Sequence, residues 1–288
     1  MIVVTGGTGT TGSQVVAALK NKGTAFKCLV RDQEAARAKL GTDVELVTGD
    51  LSDPASLEQA FAGADTLYLL CGHSPKLEEM EKGAIDAAKK AGVQRVVLST
   101  GSEKGITADS PSEILQQHYA VENYLKESGL NWTINRPNFF MNNLLNMAPP
   151  IAAQNKLITA LPQETTISMI HPADVGECAA EMLTGSGHDG QVYYIAGKAV
   201  TMGQTVEAMS QVFGRSIDYM QVPAENFKKA LEEKGMPDWA IAHQAALMGF
   251  VAKGGMAGET DWVQKLTGHE PRSLETWLDE QRAVFSPS

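Results

Sequence analysis

Along the first 140 residues, short unbroken apolar runs alternate with stretches whose apolar positions recur every three or four residues. The runs are Ile2–Thr5, Phe26–Val30, Val44–Thr48, Thr66–Leu70, Arg95–Ser99 and Trp132–Arg136. Runs that do not alternate apolar with polar positions mark strands buried on both faces, as in a parallel sheet. The stretches between them carry helix punctuation. Asp53-Pro54 reads as an N-cap and a first-turn proline ahead of ASLEQAFAGA. Gly23, Gly63, Gly92 and Gly129 each follow such a stretch, where a helix end wants a residue that turns left-handed. Strand–helix alternation implies right-handed crossovers, so the pattern predicts an α/β, doubly wound parallel sheet.

After Arg136 the rhythm loosens. Residues 137–170 hold Pro137, Pro149, Pro150 and Pro162 and show no regular alternation. Gln191–Ala196 and Ile217–Gln221 read as later strands; Gly203–Phe213, Ala224–Lys234, Asp238–Lys253 and Ser273–Phe285 read as helices. The expected organisation is a sheet-bearing core over residues 1–145, rejoined by 165–200. A smaller, mainly helical C-terminal lobe is expected from 146–164 and 201–288, on the substrate side. Within it, Met236–Met256 carries Trp239, Met248, Phe250 and three nearby glycines, Gly254, Gly255 and Gly258. That spacing suits a flap adapting to flat ligands, and equally suits core.

Composition narrows the function. The chain has 288 residues, 24 Lys+Arg against 34 Asp+Glu, and a net charge of −10. An acidic chain gains little from counterion release on a phosphate backbone, so no nucleic-acid partner is expected. No apolar run reaches the ~20 residues needed to cross a bilayer, so no membrane role is expected either. The three cysteines, Cys28, Cys71 and Cys178, form no CxxC pattern, and MIVVTGGTGTTG has no basic leader. Both point to the cytoplasm. His73, His188, His243 and His269 lack ligand spacing, so no metal is expected.

A small anion is a different matter, because local backbone N–H groups can hold one whatever the net charge. Thr5-Gly6-Gly7-Thr8-Gly9-Thr10-Thr11-Gly12 follows the first strand and opens the first helix. It reads GxGxxG over Gly7, Gly9 and Gly12. Glycines at this spacing allow the tight turn, the approach of backbone to a pyrophosphate, and close helix–strand packing. The context makes it a Rossmann-type dinucleotide loop, with Gly6, Thr8, Gly9, Thr10, Thr11 and Gly12 as cofactor residues. At the end of the second strand stand Arg31 and Asp32. An arginine matches a 2′-phosphate and a carboxylate a ribose, so NADPH is favoured and NADH stays possible. Asp50 and Leu51 after the third strand are placed for the adenine. Leu70, Cys71 and Gly72 after the fourth are placed for ribose and pyrophosphate, and Ser99, which ends the fifth at the carboxyl edge, is expected to contact the cofactor.

On these residues, together with SGLNWTINRPNFF and the tail LTGHEPRSLETW, the chain resembles the NmrA-like group of atypical short-chain dehydrogenases/reductases. The resemblance runs from residue 3 to about 280. It implies NADPH-dependent reduction of quinones or conjugated dyes, or, as in a fungal member, dinucleotide sensing without chemistry. One departure stands out. The superfamily's Tyr-x-x-x-Lys pair is missing: Tyr119 has Asn123 four residues on, and Tyr124 has Ser128. In its place stands His118-x-x-x-Glu122, which the resemblance sets beside the nicotinamide ribose. Glu122 is expected to orient the ring and favour its cationic form; the alternative is an ordinary pair on a solvated face. The superfamily serine resembles Thr100 or Ser102 in position, and either hydroxyl suits a substrate carbonyl or a strand end.

Pro137, Asn138 and Phe139 are expected to wrap the nicotinamide. Phe140 and Asn142 are expected on the substrate side, with plain core packing the alternative for the two phenylalanines. In the His171-Pro172-Ala173-Asp174 turn, Asp174 is expected as an N-cap or buried acceptor. The expected function is thus a hydride-transferring reductase for a small, flat, electron-poor acceptor, as a monomer or homodimer. The alternative is a dinucleotide-sensing regulator.

Overall fold

Seven strands form one parallel sheet in the computed structural model, which describes residues 1–287. They are β1 (Ile2–Val4), β2 (Phe26–Val30), β3 (Glu45–Thr48), β4 (Thr66–Leu69), β5 (Arg95–Ser99), β6 (Asn131–Pro137) and β9 (Gln191–Ile195). The order is β3-β2-β1-β4-β5-β6-β9. Strand order therefore reverses between β1 and β4, which opens a crevice at their carboxyl ends. β1, β4 and β5 are buried on both faces, as unbroken apolar runs require, whereas the edge strand β3 is partly exposed.

Helices cover both faces. On one lie α1 (Thr10–Asn21), α2 (Gln33–Leu40) and α7 (Pro172–Thr184), sharing a core with Val4, Cys28 and Ile195. On the other lie α3 (Pro54–Phe61), α4 (Leu77–Lys90) and α5 (Glu113–Glu127), around Phe61, Leu67, Ile85 and Leu125. Gly23, Gly63, Gly92 and Gly129 all sit at positive φ, so the glycine stops act as the sequence implied. α7 presses on α1 so closely that a Cβ on Gly176 would stand 2.5 Å from the Gln14 carbonyl. α1 is thereby held from behind.

The remaining elements build a second core. β7 (Lys156–Thr159) pairs with β11 (Asp218–Gln221), and β8 (Thr166–Ser168) with β10 (Ala199–Thr201). Around them pack α6 (Ala148–Gln154), α8 (Met202–Phe213), α10 (Asp238–Ala252), α12 (Leu274–Glu280) and α13 (Arg282–Phe285), while α9 (Ala224–Glu233), with no buried residue, lies against α10. β7, β8 and β10 had no distinct sequence pattern, because each is short and its partner lies far along the chain. The helix expected over Ser273–Phe285 is instead two, broken at Gln281. The break brings Trp277 and Phe285 edge to face, 6.1 Å apart, with Phe285 stacked on Phe213.

The tail returns to the sheet face: α11 (Trp262–Thr267) packs on α7 and β9. Beyond it, Arg272 clasps Asp174, which is fully buried, and Glu177 at 2.7 Å; His269 meets Glu177 at 2.6 Å. Asp174 is thus the buried acceptor. The N-cap of α7 is His171, whose Nδ1 accepts from the Ala173 N–H. Among the described residues, no helix is long and apolar enough to cross a membrane.

Candidate active site at the carboxyl edge of the sheet

The glycine loop leaves β1 through Thr5. Its hydroxyl accepts from the Leu70 N–H at 2.8 Å and lies 2.9 Å from the Leu70 carbonyl, locking the β1 and β4 ends together. Gly6 follows at φ +65°, and a Cβ there would stand 2.8 Å from the Leu70 oxygen. The Gly9 N–H donates back to the Gly6 carbonyl at 2.9 Å. A Cβ on Gly12 would lie 2.1 Å from that same carbonyl oxygen, so helix and loop touch backbone to backbone.

α1 opens on Gly9 with no side-chain cap. The Thr10, Thr11 and Gly12 amides at its first turn have no intrahelical acceptor, and the helix dipole makes that end positive. Thr8 and Thr11 are half-buried and Thr10 is exposed beside them. An uncapped helix start, its loop closed by glycines, fits a pyrophosphate, so the residues present suit a dinucleotide.

Around the loop, Arg31 is exposed at the end of β2, and its charge acts on Asp50 and Cys71. Asp32 is spent elsewhere: its carboxylate caps α2, accepting from Glu34 and Ala35 at 2.9 and 3.0 Å. The Asp50 carboxylate accepts from the Ser52 N–H and hydroxyl, which holds it below the usual carboxylate range. Leu51, Leu70 and Cys71 are half-buried and Gly72 is exposed. Burial pushes the Cys71 thiol up to about 12, so it stays protonated.

At the ends of β5 and β6 the structure changes the picture. Glu122 does not orient His118. Its carboxylate receives Arg136 through Nε at 2.9 Å and Nη2 at 2.5 Å, and the Thr100 hydroxyl at 2.9 Å. Nor is the pair solvated: Glu122 and His118 are 1% and 3% exposed. His118 instead turns Nδ1 toward Glu81 on α4, 3.9 Å from Oε2. Burial first, then the neighbouring His73 and His243, push His118 down to about 3, so the ring is neutral rather than cationic. Of the two candidate hydroxyls, Thr100 is committed to Glu122, while Ser102 Oγ is buried without a hydrogen-bond partner among the described residues. Ser99 is buried near Tyr68.

The residues expected near the nicotinamide and the substrate make contacts of their own. The Asn138 amide is a knot between the two cores, donating to the Ser168 and Met256 carbonyls at 2.8 and 3.1 Å. Asn142 is half-buried and accepts from the Trp277 indole at 2.9 Å, which holds Trp277 in the second core. Phe139 is buried in that core, while Phe140 is half-buried and bridges to Ile170; Pro137 ends β6, buried. In each case the packing partner comes from a segment far along the chain.

Sequence reading missed Glu81, His73 and His243. His73 follows Gly72, is exposed, and lies edge-on to both His118 and His243, with ring centres 5.9 and 4.8 Å apart. His243 comes from α10, and its Nδ1 is 2.7 Å from Ser112 Oγ, the N-cap of α5. Burial holds His243 down to about 4. One signal for Glu81 was present: it stands four residues from both Leu77 and Ile85, on the apolar stripe of α4.

Comparison with known proteins gives the chain's relatives. The chain is 34% identical to an NAD(P)H azoreductase of Xenophilus azovorans, over 99% of both chains. It is 32% identical to a (4-alkanoyl-5-oxo-2,5-dihydrofuran-3-yl)methyl phosphate reductase of Streptomyces griseus, over the whole of both. Among solved structures, an NADPH-dependent quinone oxidoreductase of Escherichia coli, complexed with NADPH, superposes with a TM-score of 0.87 at 26% identity, covering 98% of this chain and 100% of that one. The NmrA-like family model matches residues 1–278, and the chain belongs to the NmrA-like family.

Proposed function

We propose that the protein is an NAD(P)H-dependent oxidoreductase that prefers NADPH and reduces a small, flat, conjugated acceptor such as a quinone or an azo or related dye. The observation that carries this reading is the uncapped first turn of α1 packed against the Gly6 backbone, with the exposed Arg31 at the end of β2. Gly6, Thr8, Gly9, Thr10, Thr11 and Gly12 hold the pyrophosphate through backbone N–H groups. Arg31 pairs with the 2′-phosphate, and Asp50, Leu51, Leu70, Cys71 and Gly72 border the adenosine side. The bound nucleotide supplies a hydride.

The chain's own residues then have three tasks. Ser102 Oγ, buried and unpartnered, donates a hydrogen bond to an acceptor carbonyl. Phe140 limits water at the cleft. His118 stands at the end of the crevice as a neutral ring able to pass a proton. Such acceptors spread the incoming charge over a conjugated system, so the absence of the Tyr-x-x-x-Lys pair is tolerable. The relatives named above act on azo, quinone and butenolide compounds by their names, which share that property. The acceptor is the one partner proposed. Three cysteines without a disulfide fit a reducing, cytoplasmic setting.

The test is NADPH consumption by purified protein with a panel of benzoquinones, naphthoquinones and azo dyes. Oxidation with none of them, alongside separate affinities for oxidised and reduced nucleotide, would instead identify a sensor. Cofactor choice has its own check. Removing the guanidinium in Arg31→Ala costs a charge-assisted contact of about 1.5–3 kcal/mol. In binding titrations NADPH affinity is expected to fall roughly 10- to 100-fold, with NADH little changed. Equal losses for both would remove Arg31 from the phosphate site.

A further inference from the structure

The interior behind the crevice contains an acid that the reading above does not use. Glu81 on α4 is fully buried, and its carboxyl makes no hydrogen bond of good geometry among the described residues, the Cys71 backbone N–H being a weak donor to it. A bare carboxylate in that position would cost several kcal/mol, so the group takes up a proton instead. Burial pushes it well above the usual carboxylate range; Glu122 on α5 adds to the shift, and the Cys71 backbone amide relieves it in part. Facing it is one other orphan, His118 Nδ1, also buried and without a partner. The two atoms are 3.9 Å apart, about 1 Å outside a hydrogen bond. The His118 ring also lies edge-on to His73, which is exposed, and His243 on α10 packs against His73 in turn.

We infer that Glu81 is a positioning residue that stores the proton His118 delivers to the reduced acceptor. The inference rests on the reductase reading. In the step, a hydride adds to the acceptor and leaves it an anion. That anion takes the proton from His118 Nε2. Nδ1 of the same ring takes the Glu81 proton as the side chains close the remaining distance, so His118 ends neutral in its other tautomer and Glu81 ends as a carboxylate. Because a bare carboxylate is unfavourable there, Nδ1 returns its proton to Glu81 after product leaves while Nε2 takes one from solvent, which resets both groups. Glu122 does not compete, since Arg136 and Thr100 occupy its oxygens.

Two measurements on the full chain test this. Infrared spectra of the nucleotide-free protein at neutral pH should show the carbonyl stretch of a neutral carboxylic acid that Glu81→Gln lacks. With NADPH and a benzoquinone, Glu81→Gln should keep NADPH affinity but lose turnover on the order of a hundred-fold, the usual scale of a general acid. The wild type should slow as pH rises through the Glu81 ionisation, since only the protonated form donates, and the variant should lack that limb. Glu81→Asp should recover part of the turnover and the limb, which a packing role would not produce.

No acid band, or unchanged turnover and pH profile in Glu81→Gln, overturns the inference while the reductase reading stands. If the wild type reduces no quinone or dye, the reductase reading fails and the proton has no destination. If Glu81→Gln does not fold, the wild-type infrared band and the Glu81→Asp profile still decide.

Discussion

Gly12→Ala is expected to abolish dinucleotide binding while leaving a folded protein. The new methyl would stand 2.1 Å from the Gly6 oxygen, 2.6 Å from its carbonyl carbon and 2.9 Å from the Gly7 Cα. All three are backbone atoms, so no side chain can swing away. α1 cannot retreat either, because α7 is packed against its backbone at Gly176. The loop must therefore move, carrying the Thr10–Gly12 amides out of register with the phosphates. Overpacking of this kind costs about 1–3 kcal/mol of stability, which a domain of this size survives. The loss of aligned amides should lower NADPH and NADH affinity together by more than about 100-fold, equivalent to roughly 2.7 kcal/mol. Calorimetric titration checks it. Gly83→Ala is the control: its Cβ would meet only Pro54 Cγ at 3.7 Å, inside α4, so binding should be unchanged and stability should rise by about 1 kcal/mol. Wild-type affinity in Gly12→Ala would remove the loop from the cofactor site.

The second large effect is on stability. Glu122→Ala leaves Arg136, whose side chain is 14% exposed, without the carboxylate that receives it through two nitrogens. Orphaning a buried charge costs about 3–5 kcal/mol. At about 2–4 °C per kcal/mol, the melting temperature should drop by roughly 6–20 °C. Lys90→Ala, which breaks the exposed pair with Glu58 at 3.1 Å, should move it far less, since such pairs are worth about 0–1 kcal/mol. Replacing both partners, Glu122→Leu with Arg136→Met, should recover most of the loss, because the desolvation of both charges disappears with them. If Glu122→Ala melts like the wild type, the pair is not the anchor of α5 on β6. The same experiment separates two views of HxxxE: a carboxylate serving the histidine, or one serving the arginine of the neighbouring strand.

That case shows how far local sequence reaches. Residues four apart on a helix must share a face, so His118 and Glu122 were correctly expected together on α5. Which groups they touch depends on what α4, β6 and α10 bring against that face. Arg136 comes from β6, Glu81 from α4 and His243 from α10, and no spacing in the sequence connects them. The phenylalanines behave alike. Phe139 and Phe140 are neighbours, yet one is buried in the second core and the other packs at the margin of the first.

By itself the sequence determined the parallel sheet, the helices between its first strands, the glycine stops and the loop that opens α1. Those features follow from apolar periodicity, glycine's access to positive φ and the geometry of a helix start, all of which act over a few residues. Tertiary structure alone decided which polar groups were spent and which were left over. It tied Asn138 to Ser168 and Met256, and Asn142 to Trp277. It left Arg31 at the rim, with Ser102, His118 and Glu81 unsatisfied in the interior. The physical reason is that a buried polar atom must find a partner or go without. Except for a local cap such as Asp32, the partners here lie tens to more than a hundred residues away, beyond the reach of any local pattern.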